Sequence, residues 1–414
     1  MQWRISPAAA VLSVSIMAAS AGAQAEADTA ALGGAIFGGT VERLESATAA
    51  RQIARLPCKS CHGADGLGGE EGRAPPIDGP ALARVTTERR AYDRAAFAAA
   101  VREGRSADGR DLNRLMPRYA LSDQETAALF DHLVALPQIQ RAGVSEGSVA
   151  FAIPAVGDRE GYLYLDQLRE AMKARLGGTG VHGRQVEFVL VSATTPPGDA
   201  GIFAALAVPR TWLPSYRAAG VPVIFPFGQL DGGEDAGLLR DFLPSAQDVR
   251  RALAERLAVG AAGPVAIMPP GRDAEALTRS LRLAGGKAVG ETGPATAREL
   301  VVLDAAALES ALSQAPEARL WLDRKVLAQS GGLPPTREAV VYTDLGGSPP
   351  LCAHARIAGA ILAEVLLEAG RDLTRAGFLR AFGHAYLADF GLDYRANPLT
   401  GRTAIRFDTL RARR

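Results

Sequence analysis

Cys58-Lys59-Ser60-Cys61-His62 is the stretch on which the reading of this chain turns. Two thiols three positions apart lie on one face of a helical turn. From there each S–H can add across one of two vinyl groups along a single porphyrin edge, and the histidine that follows sits beneath the iron. This is the spacing of c-type haem attachment. With 3 Cys and 5 His in 414 residues, chance would give about 3 such patterns in ten thousand chains. A thioredoxin-like redox pair needs a βαβ setting, and half a zinc site needs a second Cys or His pair; neither lies close in the sequence. The expectation is one covalent haem c held through Cys58 and Cys61, with His62 as an axial ligand.

A second axial ligand is expected from methionine, whose thioether stabilises ferrous iron. Met116, in Leu115-Met116-Pro117-Arg118-Tyr119, follows the helix-like Ala95 to Gly104. It precedes Ser122-Asp123-Gln124-Glu125, a helix-start signature opening a helix over Ser122 to Ala135. Pro117 stiffens the loop beside it. Met172 and Met268 fall in apolar patterns far downstream and read as core.

Arg4, the short apolar run Ala8 to Ala19, and Ala21-Gly22-Ala23 or Ala23-Gln24-Ala25 have the order of a cleavable export signal. Residues 1–23 are therefore expected to be a signal peptide, and the run is too short to span a bilayer. No later segment reaches the roughly 20 consecutive apolar residues of a transmembrane helix, so a periplasmic protein without a membrane span is expected. An odd number of cysteines does not suit a disulfide framework. The composition, 48% hydrophobic and 22% charged, is globular, and the length suggests two or three domains. A formal net charge of +1 gives no sign of a nucleic-acid partner.

Residues from about 30 to 137 resemble a class I cytochrome c: the Cys58–His62 motif followed by Gly63, a Gly- and Pro-containing loop, Gly104, and Met116-Pro117 with Leu121-Ser122 opening the last helix. Gly109 through Asp123 is similar to cytochrome domains that serve quinoprotein alcohol dehydrogenases. The resemblance implies an all-α fold over 24–137, electron transfer with a periplasmic redox partner such as a quinoprotein dehydrogenase, and no catalytic residues. It also implies a proline carbonyl that orients the proximal imidazole, at Pro75 or Pro76. Ala49 to Leu56 lacks the usual aromatic and glycine contacts of the first helix, for which Gly33-Ala35-Phe37 is the candidate substitute. Between residues 24 and 140 there are 14 Arg plus Lys and 16 Asp plus Glu. Arg102, Arg105, Arg110, Arg114 and Arg118 crowd the methionine side, as a partner-steering ring or as a solvated face.

Pro137 is expected to end the last helix, with a linker over 138–147. Beyond it, runs at Val149 to Ile153, Val186 to Val191, Val221 to Phe225, Val265 to Met268, Leu300 to Leu303 and Val340 to Tyr342 alternate with helix-length segments, which implies parallel α/β layers. Gly178-Thr179-Gly180-Val181-His182-Gly183 has dinucleotide-site spacing, but its helix precedes and its strand follows, the reverse of what that site needs. These glycines are expected to end a helix and turn the chain.

Gly177 to Arg184 with the strand after it, Gly220 to Phe225, Gly285-Gly286, Arg371 to Thr374 and an ending over Tyr394 to Phe407 resemble type I periplasmic solute-binding proteins, over residues 148–414. That resemblance implies two α/β lobes with a small-molecule ligand in the cleft. The stretch between Ser192 and Val221 is shorter than in that family and poor in hydroxyls, while Asp231 and Glu234 are candidate ligand acids or surface charges. Solute binding and a docking role both stay open, as do two overall readings: an electron carrier with a docking or sensing module, and a solute receptor with an accessory haem. Cys352 is expected to be a buried thiol, His132, His182 and His384 to be packing or surface residues, and no catalytic constellation is legible.

Overall fold

In a computed structural model, four helices of the N-terminal third open at side-chain caps, which satisfy the orphan N–H groups of a first turn. Helix α1 spans residues 28–38. Ser46 caps α2 (Ala47–Arg55), α3 is Cys58–His62, Asp78 caps α4 (Gly79–Ala83) and Asp93 caps α5 (Arg94–Arg102). At α6 (Asp123–Gln140), Ser122 and Glu125 form the reciprocal capping box that the sequence announces. The second carboxylate oxygen of Glu125 accepts from Glu45 N at 2.8 Å, which ties the start of α2 to that of α6.

The structure describes residues 28–41, 44–69, 74–87, 89–155, 159–178, 180–198, 201–234, 236–261, 263–288, 294–332, 338–343, 351–402 and 405–411. The signal peptide expected at 1–23 lies outside them. The chain divides into two compact units at Ala142, with Thr374–Ala376 grouped with the first. No helix among the described residues is long and apolar enough to cross a membrane.

In the first unit, Ile36, Ile53, Phe97, Leu129 and Leu133 form one apolar core. Helices α1 and α6 cross at backbone contact, because Gly33 has no Cβ: one built there would overlap the Ala128 carbonyl and lie 2.8 Å from His132 Cβ. Phe37 packs its ring 5.5 Å from that of His132. The contacts that α2 lacks are thus supplied from Gly33 and Phe37. Helix α6 runs past Pro137 to Gln140, where the sequence suggests an end. Proline removes only its own N–H, and the Pro137 carbonyl still accepts from Arg141 N at 3.2 Å.

The second unit begins with β1 (Ser148–Pro154), α7 (Arg159–Leu176), β2 (Gly180–Val181), β3 (Arg184–Val191), β4 (Ala204–Leu206), α8 (Leu213–Ala218), β5 (Val223–Ile224) and β6 (Leu239–Arg240). These strands form one sheet in the order β2-β3-β1-β4-β5-β6, parallel except for β2. Gly177 and Gly183, both at positive φ, flank the β2 turn, so the glycine-rich stretch ends α7 and reverses the chain as the sequence implies.

A second sheet follows from α9 (Ala246–Gly260), β7 (Val265–Met268), α10 (Arg272–Leu283), β8 (Glu299–Val302), α11 (Leu308–Gln314), β9 (Arg319–Asp323), α12 (Arg324–Gln329) and β10 (Glu338–Thr343). The chain then returns to the core beside the second unit's first sheet with α13 (Leu351–Ala369), α14 (Arg375–His384), β11 (Tyr386–Leu387) and β12 (Leu392–Asp393), and closes on the second sheet with β13 (Arg406–Arg411). Side chains alternate across that sheet, as a pleat requires. Leu300, Val302, Leu320 and Leu322 face α11 and α12, whereas Val301, Trp321 and Val340 face α9 and α10. The expected two α/β lobes are present, interleaved along the chain.

Candidate functional site

Helix α2 ends at Leu56, and extended Pro57 (φ −67°) starts α3, so the five-residue motif forms its own short helix. Both thiols are free, as is that of Cys352. Burial pushes the Cys58 thiol up to about 12, with the neighbouring Cys61 adding to the rise. His62 is buried. Its Nδ1 donates to the Pro75 carbonyl at 2.8 Å, since a carbonyl can only accept. That selects Pro75 over Pro76 and leaves Nε2 with its lone pair available. Burial lowers the His62 pKa, against a smaller opposing effect of the Pro75 bond, and so favours the neutral imidazole that ligates metals.

The loop after α3 is what brings Pro75 to the imidazole. Gly68 N donates to the His62 carbonyl at 2.7 Å, and Ile77 N to Gly66 at 2.7 Å. Gly68 sits at φ +77° with the Ala74 carbonyl against it, where a Cβ would not fit.

Met116 is half-buried in the loop from Gly104 to Leu121. Gly104, at φ +72°, accepts from Leu112 N at 2.7 Å, and Tyr119 N donates to Val101 at 3.0 Å. The Tyr119 hydroxyl donates to the Leu56 carbonyl at 2.6 Å. Its pKa is raised by burial and by the nearby Cys58 and Cys61. The fold therefore brings the end of the methionine loop to the cysteine segment. Two free thiols, an oriented imidazole and a thioether loop closing on the same segment form a donor set that suits a covalently attached haem. Tyr119 was not legible as a contact, because nothing in the Met-Pro-Arg-Tyr spacing points to Leu56.

The arginines have different partners. Arg102 binds Asp123 at 2.7 Å, Arg105 lies 4.0 Å from Glu103, and Arg118 turns inward onto its own loop. Arg114 is exposed beside Leu115, which is 80% exposed.

In the second unit, the order of neighbouring strands reverses between β1 and β4, the switch point where such sheets place ligands. Ala207 and Phe225, just past the carboxyl ends of β4 and β5, both take φ +55°. The candidate acids are committed elsewhere. Asp231 and Glu234 both bind Arg210, whose guanidinium holds the Asp231 carboxyl below its usual range. Glu234 also accepts from Asp231 N at 2.8 Å and Gly232 N at 2.6 Å, so the pair builds its own loop.

Cys352 is half-buried, against the expectation of a buried thiol, while His354 is 2% exposed. Residues two apart on a helix point in nearly opposite directions, so burying one exposes the other. His354 Nδ1 shares a 3.0 Å hydrogen bond with the Tyr164 hydroxyl, its Nε2 has no partner among the described residues, and its ring packs 5.0 Å from Phe227 and 4.7 Å from Phe242.

No curated protein sequence matches the chain. Among solved structures, it is similar to an ABC transporter substrate-binding protein from Desulfitobacterium hafniense in complex with Leu, at 18% identity and TM-score 0.41, covering 57% of this chain and 88% of that one. A substrate-binding periplasmic protein from Ralstonia solanacearum aligns at 14% identity and TM-score 0.39, over 63% and 96% of the two chains. An extracellular ligand-binding receptor from Verminephrobacter eiseniae aligns at 10% identity and TM-score 0.43, over 63% and 97%. Residues 47–137 match the cytochrome c family model, and with their helices, motif and loops they form the cytochrome c domain of this chain.

Proposed function

We propose that this chain is a periplasmic electron-transfer protein carrying one haem c, bound through Cys58 and Cys61 with His62 and Met116 as axial ligands. The observation that carries the reading is the 2.8 Å bond from His62 Nδ1 to the Pro75 carbonyl, which fixes tautomer and ring orientation beside two unpaired thiols. Bound haem supplies one-electron exchange between ferric and ferrous iron. The protein residues hold the imidazole neutral, close the methionine loop onto the cysteine segment, and leave Arg114 and Leu115 exposed for a partner. The electron donor is a periplasmic dehydrogenase, of the quinoprotein alcohol-oxidising type served by the cytochrome domains that Gly109 through Asp123 resembles. The second unit serves as a docking or solute-binding module, and the chain is a carrier and not itself an enzyme.

The test is a pyridine haemochrome spectrum and intact mass of the protein made in a haem-maturing host, with a pull-down of periplasmic dehydrogenases. One haem per chain is expected, and a chain of apo mass would sink the reading.

A further inference from the structure

Local and side-chain contacts act together to hold the methionine loop. Leu115 N donates to Asn113 Oδ1 at 3.0 Å and Met116 N to the Asn113 carbonyl at 3.1 Å; both are local, and one lies on an exposed asparagine. Leu115, the loop's large apolar residue, points to solvent and anchors nothing. The third contact is Tyr119, beyond the segment 112–118. The fourth is Arg118, whose guanidinium donates through Nη1 to the carbonyl of Met116 itself and through Nη2 to the carbonyl of Leu112 at 3.2 Å. Among the described residues, it is the one side chain whose bonds join the two ends of the segment 112–118.

Gly104 gives this arrangement its second support. A Cβ there would overlap the Arg118 guanidinium, so the glycine leaves the space in which the fork lies. The Gly104 carbonyl also accepts from Leu112 N at 2.7 Å, so the start of the loop, its arginine and the end of α5 converge on one residue. A planar guanidinium can hold two carbonyls in fixed relation, which a lysine ammonium on a flexible stem does poorly.

We propose that Arg118 is a positioning residue for Met116: its guanidinium fork, seated on Gly104, closes the loop and holds the thioether where it ligates. The inference rests on the haem reading above. With a loosened loop, methionine would leave the iron more readily and an external ligand would take its place more easily.

The experiment uses full-length haem-loaded protein with Arg118→Lys and Arg118→Gln. Two quantities are read: the methionine-to-iron charge-transfer band of the ferric protein in the far red, and the Kd for imidazole titrated as a competing ligand. Covalent haem content and far-ultraviolet circular dichroism establish that each variant has matured and folded. In both variants the band should weaken or melt at lower temperature, and imidazole should bind about tenfold more tightly, as expected from losing the net contribution of one charge-assisted bond. An unchanged band and imidazole Kd in Arg118→Gln would overturn the proposal. So would a change in Arg118→Gln that Arg118→Lys fully restores, because charge alone would then explain it. Failure of the underlying reading looks different: wild-type protein without covalent haem, or a far-red band that survives Met116→Ala.

Discussion

The hydroxyl of Tyr119 donates to the carbonyl of Leu56 at 2.6 Å, across 63 positions of sequence. Leu56 is the residue on which α2 ends, two before Cys58, and Tyr119 stands three after Met116. One part-buried bond thus links the two chain segments that carry the candidate iron ligands. Tyr119→Phe keeps the ring and strands the Leu56 carbonyl, at a cost of about 1 to 3 kcal/mol. The cytochrome unit should melt several degrees lower by circular dichroism, and an unchanged melting temperature would show that water replaces the bond.

Attachment should depend on two of the three free cysteines. Replacing both Cys58 and Cys61 by Ala should abolish covalent haem, whereas Cys352→Ala should retain the full amount, as read by intact mass and haem-stained denaturing gels. Haem lost with Cys352, or kept without the other two, would contradict the assignment.

Two glycines mark backbone-to-backbone helix contacts that no side chain can enter. A Cβ at Gly33 would overlap the Ala128 carbonyl, and one at Gly359 of α13 would lie 2.5 Å from the Leu168 carbonyl of α7. Gly33→Val and Gly359→Val should each destabilise their own unit by about 1 to 3 kcal/mol or more through overpacking. Chemical denaturation checks this, and a neutral result at either site would mean that the helices separate at little cost.

His354 should give the second unit a pH dependence. Burial lowers its pKa from 6.5 to about 4, beside Tyr164, whose own hydroxyl is pushed up by burial and by Asp241. Because the unfolded chain takes up a proton more readily, stability is full above pH 6.5. It should fall as the pH drops towards 4, by about 3 kcal/mol at most. His354→Phe should flatten that slope in denaturation midpoints measured across the window. If wild type and variant keep parallel slopes, the histidine does not titrate this way.

Much of this protein was legible from short spacing. The interval between Cys58, Cys61 and His62, the pairing of Met116 with Pro117, and the capping box of Ser122 and Glu125 each act within a turn or two of backbone, where sequence distance is spatial distance. The alternation of strands and helices after Val149 was readable for the same reason. The strand at Arg319–Asp323 was not, nor was that at Ala204–Leu206, which lies buried and too short to show a period. Tertiary structure alone chose Pro75 as the partner of His62, turned Arg118 inward from the row of arginines, joined Tyr119 to Leu56 and set Gly33 against Ala128. All but the Arg118 contact join residues more than a helix turn apart, and each depends on how packed elements meet, which local periodicity does not encode. The sequence by itself determined which groups are candidates to hold a haem; only packing decided which carbonyls, and which neighbours, hold those groups in place.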